Sequence, residues 1–205
     1  MTGDGGVRIA VVDYGIGNLR SAQKALQAVG ADAVLTDDPD RIAAAAAVVL
    51  PGVGAFGPCM EALRASGLEG VTRSAIDDGR PFLGICVGMQ MLYDASDEDP
   101  DVKGMGVLAG RVRRLGEGVK RPQMQWNVVE RQVDSPLFSG LADPVWMYFV
   151  HSFAPVPTDD VVATCDYGGP VVAAVRRGRL WATQFHPEKS GRAGLALLAN
   201  FVAST

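Results

Sequence analysis

The chain has 205 residues and carries 19 Lys and Arg against 23 Asp and Glu, a formal net charge of −4, which argues against a broad basic face for a nucleic-acid backbone. Hydrophobic residues make up 48% and charged residues 20%, enough apolar material for a sizeable core. No composition break or Pro/Gly/Ser-rich linker divides the chain, so one domain over residues 1–205 is expected. The longest apolar stretch, Ile42 to Leu50, is too short to cross a bilayer, and Met1 to Gly6 lacks the charged-then-apolar order of a signal peptide. Neither a membrane span nor export is implied. Cys59, Cys86 and Cys165 contain no C-x-x-C pair, so neither a disulfide framework nor a cysteine zinc site is suggested, and a reducing cytoplasm fits.

Val7 to Val12 is a β-branched run ending in Asp13-Tyr14-Gly15, and Leu19 to Val29 then places apolar residues at helical spacing. Gly30 stands where a helix would end, Ala33 to Leu35 restarts an extended run, and Ala47 to Leu50 gives a strand ending in Pro51-Gly52-Val53-Gly54. The alanine run Ala43 to Ala47 reads as a helix end. Helical stretches around Glu61 and Ile76 lead to a buried strand, Pro81 to Ile85, which passes at once into a helical segment, Val87 to Tyr93. The second half is strand-rich: Val107 to Leu115, Trp126 to Val133, Val145 to Val150, Val161 to Cys165, Val171 to Arg176 and Leu180 to Gln184. Arg111, Arg113 and Arg114 read as a solvated strand end, and Gly191 to Val202 as a closing helix. The pattern predicts an α/β fold: a flavodoxin-like, open, twisted, mostly parallel sheet with helices on both faces and an antiparallel edge extension.

The segment Gly84-Ile85-Cys86-Val87-Gly88 lies between that buried strand and the helix behind it. This is the layout of a nucleophile elbow, G-x-C-x-G, with Cys at its centre. Flanking glycines let the backbone turn without side-chain collision, so Cys86 projects from the carboxyl end of the sheet in a strained conformation. Helix N-terminal amides around the sulfur favour thiolate, and the N–H of Val87 is aimed to receive an oxyanion. Cys59 and Cys165 lack such a setting and read as buried small hydrophobes.

Only two histidines are available as a general base. His186 stands just past a strand end in Phe185-His186-Pro187-Glu188, where Glu188 can hold one ring nitrogen and Pro187 restricts the backbone between them. His151 has no carboxylate close in sequence and is assigned a binding-site or structural role. Asp13-Tyr14-Gly15-Ile16-Gly17-Asn18 supplies the G-x-G of a dinucleotide fingerprint, but Arg20 stands where its third glycine belongs. A nicotinamide or flavin site is therefore rejected. Two separated histidines give no metal constellation, and no cofactor is expected.

The elbow through Gln90 together with the Phe-His-Pro-Glu segment resembles the class I (triad) glutamine amidotransferases. Asp13 to Asn18, Leu50-Pro51-Gly52-Val53-Gly54-Ala55-Phe56 and Lys189-Ser190 narrow the resemblance to the glutaminase subunits of imidazole glycerol phosphate synthases, over essentially the whole chain. The resemblance implies a triad of Cys86, His186 and Glu188 that hydrolyses glutamine through a Cys thioester. It also implies an oxyanion site of Val87 completed by backbone at Gly52 and Val53, where a peptide must be correctly turned. Gln90, Glu98 and the backbone of Ser152 and Phe153 match positions that hold the substrate. Ammonia would pass to a cyclase partner with a (β/α)8 barrel, forming a heterodimer, with Asn18, Trp126 and Lys189 facing it. The plain alternatives are a helix cap for Asn18, a core position for Trp126 and a solvated cation for Lys189. Many members carry His and Gly where Gln123 and Gln125 stand, a departure that bears on the interface rather than the chemistry. The glutaminase of another synthase, a non-catalytic regulatory subunit and a cysteine peptidase on a related fold are the competing readings.

Overall fold

The architecture is that of a computed structural model, which describes residues 6–17 and 19–205. The first half alternates strand and helix: β1 (Arg8–Val12), α1 (Leu19–Ala28), β2 (Asp32–Thr36), α2 (Pro39–Ala44), β3 (Ala47–Gly52), α3 (Phe56–Ala65), α4 (Glu69–Asp77), β4 (Phe82–Cys86) and α5 (Val87–Gln90). The second half holds β5 (Ala95–Ser96), β6 (Arg111–Arg114), β7 (Gln123–Arg131), β8 (Val145–His151), β9 (Phe153–Pro155), β10 (Val161–Asp166), β11 (Pro170–Arg177), β12 (Leu180–Thr183) and α6 (Gly191–Ala203).

Nine strands form one sheet in the order β2-β1-β3-β4-β12-β11-β10-β7-β8. Pairings from β2 across to β12 are parallel, and those from β12 out to β8 are antiparallel. The antiparallel extension expected at one edge is therefore four strands wide, β11, β10, β7 and β8. A smaller sheet, β5-β6-β9, lies beside it.

Burial explains the division. Strands β3 and β4 are buried at every residue, the signature of strands covered on both faces, whereas β8 alternates buried and exposed because only one of its faces is covered. From β1, the chain crosses to β2 on one side and from β2 to β3 on the other, so right-handed crossovers set α1 and α2 on opposite faces. Helix α1 packs with α6, and α2 with α4. Helix α2 starts sharply because the Asp38 carboxylate accepts from the amides of Asp40 and Arg41 and Pro39 occupies the first turn.

Several elements differ from the sequence expectation: β5 and β9 have no counterpart in it, and β7 runs from Gln123 to Arg131 rather than from Trp126 to Val133. Helix α5 ends at Gln90 rather than Tyr93, because the carbonyls of Met91, Leu92 and Tyr93 accept from the amides of Met105, Val107 and Gly106. Those tertiary hydrogen bonds replace the next helical turn, and they also hold Val107 outside any strand, so β6 begins only at Arg111. The alanine run is split: Ala43 and Ala44 end α2, and Ala47 already belongs to β3. Arg113 and Arg114 are exposed at the end of β6 as expected, while Arg111 pairs with Asp97.

Candidate active site

The carboxyl ends of β3, β4 and β12 stand side by side, with β4 in the middle, and open-sheet proteins bind ligands at that end of their strands. Cys86 is the last residue of β4 and the residue before α5. Its φ of 55° is the only positive value outside glycine among the described residues, so the strain expected of an elbow is present. Close approach makes Gly88 obligatory. A β-carbon there would sit 1.9 Å from the carbonyl oxygen of Leu50, a backbone atom of the neighbouring strand that cannot step aside.

The partner groups arrive from β12. Its end turns through Gln184 and Phe185 into His186, followed by a short 3-10 turn at Pro187–Lys189. His186 Nδ1 and Glu188 Oε1 are 2.7 Å apart, with side chains only 1% and 6% exposed. Nδ1–H donates to the carboxylate, which leaves Nε2 to the cleft; Nε2 is buried with no hydrogen-bond partner in the protein. Burial works against protonation of this ring, but the nearby Cys86 sulfur and the Glu188 carboxylate outweigh it, pushing His186 up to about 9. Ser190 anchors the turn: its hydroxyl donates to the His186 carbonyl at 2.6 Å and accepts from the Tyr148 amide at 3.0 Å.

Cys86, His186 and the turn at Val53 and Gly54 line a cleft of about 310 Å³. Val87, Gln90 and Glu98 also line it, as do Ser152, Phe153 and Lys189. Gln90 Nε2 spends both hydrogens on the Phe153 carbonyl, 2.9 Å, and Gln184 Oε1, 3.0 Å, so contact with a ligand falls to Oε1. Glu98 accepts from the amide of Phe56 at 2.9 Å, whereas neighbouring Asp94 and Asp97 turn away to Gly110 and Arg111. Burial raises the Glu98 carboxyl above the usual range and the charge of Asp99 adds to the rise, while the Phe56 amide opposes it.

Of the three positions expected to face a partner, Lys189 is exposed at the mouth of the cleft and Trp126 is 47% exposed, which excludes a core role. Asn18 lies outside the described residues. Trp126 packs edge-on against Tyr148, its cross-strand neighbour on β8. Met124 and Trp146, 62% and 57% exposed, share that outer face of β7 and β8. Gln123 faces the other way. It is fully buried, pairs in register with His151 and lies against Cys165, so the departure expected at this position to bear on the interface points inward; Gln125 is exposed.

His151 lines the cleft without a carboxylate, and its Nδ1 is bonded to the Phe153 carbonyl at 2.9 Å. Burial is the main reason that it is lowered to about 4, with the charge of His186 contributing, so it stays neutral. Sequence reasoning did not find Gln184, whose Nε2 lies 3.7 Å from the Cys86 sulfur and whose Oε1 holds Gln90. A polar residue just past the end of β12 and two before His186 was the available signal. Among the described residues, no group of three His, Cys, Asp or Glu is placed to hold a metal ion.

A strained cysteine, a carboxylate-held histidine and a cleft between them form the constellation of cysteine-dependent acyl transfer. A family description, glutamine amidotransferase class-I, matches residues 10–205. The chain belongs to that family. Among its relatives, the imidazole glycerol phosphate synthase subunit HisH of Symbiobacterium thermophilum is 51% identical over 95% of this chain and 92% of its own length. The subunit HisH of Synechococcus elongatus is 50% identical, again over 95% of this chain and 92% of its own. Within the family this class-I amidotransferase therefore groups with the glutaminase subunits of imidazole glycerol phosphate synthase. A solved structure described as PurLQS from Thermotoga maritima superposes with a TM-score of 0.76 at 22% identity, covering 96% of this chain and 98% of that one, and it shares the fold.

Proposed function

We propose that this chain, a single amidotransferase domain over residues 1–205, hydrolyses glutamine on Cys86 and delivers the ammonia to a cyclase partner with a (β/α)8 barrel. The observation that carries the reading is the His186–Glu188 pair, 2.7 Å apart, with His186 lining the same cleft as the strained Cys86. His186 Nε2 holds the proton given up by the thiol, and the sulfur attacks the side-chain carboxamide carbon. The tetrahedral oxyanion is received by the amides of Val87 and Val53. His186 then gives its proton to the departing nitrogen, so ammonia leaves and a thioester remains. Water, losing a proton to His186, attacks the thioester; glutamate departs and the thiol is restored.

The relatives' description as a synthase subunit supports a partner. Its docking face is the outer surface of β7 and β8, where Met124, Trp126 and Trp146 are exposed beside the cleft mouth at Lys189. A heterodimer in the reducing cytoplasm accords with three buried free cysteines.

The test is synthesis by the complex from glutamine and, separately, from added ammonia. Cys86→Ala should abolish the first and leave the second, since cyclisation resides in the partner. Loss of both would contradict this division of labour.

A further inference from the structure

Two side chains remote in sequence hold the turn that the proposed oxyanion site needs. Tyr14 follows the end of β1 and is 4% exposed; its hydroxyl donates to the carbonyl of Pro51 at 2.8 Å. Cys59 lies in the first turn of α3, fully buried, and its thiol donates to the carbonyl of Val53 at 3.3 Å. The carbonyls on either side of the Gly52–Val53 peptide are thus tethered. Among the described residues, no side chain bonds to that peptide itself.

The geometry points to Tyr14 and Cys59 as a pair of positioning residues for glutamine hydrolysis, confining rotation of the turn to the one peptide whose N–H serves the oxyanion. The inference rests on the amidotransferase reading above. A peptide plane turns with little disturbance when its flanking Cα atoms stay still, because only ψ of Gly52 and φ of Val53 then change. The tethers supply that stillness. Tyr14 and Cys59 are also suited to act as donors at neutral pH. Burial is the main cause that raises each, and their mutual proximity adds to the rise of the phenol, so both keep their protons. Tyr14 further connects the turn to the loop after β1, where a β-carbon on Gly17 would come 2.8 Å from the side chain of Val53.

The experiment compares wild type with Tyr14→Phe, Cys59→Ala and Cys59→Ser, each in complex with the cyclase subunit and its nucleotide, and measures kcat and KM for glutamine, ammonia-dependent synthesis and thermal stability. Tyr14→Phe and Cys59→Ala should each lower kcat about tenfold, with KM changed less than about twofold, since the turn misplaces a donor without altering the glutamine pocket. Cys59→Ser, which keeps a hydroxyl donor, should recover most of that loss. Ammonia-dependent synthesis should be unchanged. Wild-type kcat in both deletion variants, a loss that serine does not recover, or a parallel fall in ammonia-dependent synthesis would overturn the assignment. A wild-type complex that hydrolyses no glutamine would instead refute the amidotransferase reading itself.

Discussion

The elbow at Cys86 and the turn after β3 end neighbouring strands, pair in register at Gly52 and Cys86, and are held by opposite means. At the elbow, backbone meets backbone: Gly88 lies against Leu50 so closely that a single added carbon would collide, and Cys86 is forced to a positive φ. At the turn, restraint comes from two hydrogen bonds donated by Tyr14 and Cys59. A conformation imposed by backbone contact has no alternative within reach. At the turn the two tethers hold the flanking carbonyls while, among the described residues, no side chain bonds the Gly52–Val53 peptide between them, so the binding energy of a partner can turn that one peptide. The nucleophile is thus built as a fixed part and the oxyanion turn as an adjustable one.

The harshest way to break this contrast is Gly88→Ala. Its β-carbon would overlap the Leu50 carbonyl at 1.9 Å, and α5 would have to move off β3. A loss of more than about 4 kcal/mol in urea unfolding, or failure to fold, is expected. Gly84→Ala is the graded control: its nearest atoms would lie at 3.1 Å, so a loss of about 1 to 2 kcal/mol should suffice. Equal effects would mean that the elbow yields more easily than its contacts suggest. Next in size is Glu188→Gln, which keeps the shape beside His186 but not the charge. Glutamine-dependent kcat should fall about a thousandfold with little change in KM, as when a triad acid is neutralised.

How much of this was legible in the sequence follows the same contrast. Gly84, Cys86 and Gly88 are consecutive in one segment, so the elbow could be read from local sterics. The pairing of His186 with Glu188 spans two residues and was equally open to inspection, but its approach to Cys86 depends on β12 lying beside β4, which no local pattern encodes. Tyr14 and Cys59 gave no signal, because their partners are backbone carbonyls, which no side-chain pattern marks, and that of Tyr14 lies far along the chain. Trp126 was ambiguous between core and surface. Its position on the uncovered face of the two outer strands decides the matter.

A smaller effect separates the two histidines of the cleft. His186 is raised to about 9 from the ordinary 6.5, so the stability it gives is complete below about pH 6.5 and is lost as pH rises through about 9. His151 is lowered to about 4, so its contribution is complete above about pH 6.5 and is lost as pH falls toward about 4. Urea unfolding should therefore be most resistant near pH 6.5, with each limb on the order of 3 kcal/mol deep at most. His151→Asn should flatten the acid limb alone, and Glu188→Gln should reduce the alkaline limb only in part, because the Cys86 sulfur also raises His186. Matching changes in both limbs would show that the two rings titrate as one unit.

The finest probe lies under the adjustable part. Helix α3 receives no cap from Ala55; the amide of Gly57 is capped instead by Asp99 at 2.8 Å, and that of Phe56 by Glu98. Cys59 rides on this first turn, so the cap helps to hold its thiol against the Val53 carbonyl. Asp99→Ala should cost about 1 kcal/mol of stability, the usual worth of a cap, and should lower partner-stimulated glutaminase kcat only two- to threefold or so, because the helix frays without the thiol being removed. Labelling of Cys86 by a glutamine-like electrophile in the isolated subunit should keep its wild-type rate, since the elbow rests on β3 and β4 rather than on α3. If labelling slowed as much as turnover, the elbow and the turn would be one mechanical unit, and the division between fixed and adjustable parts would fail.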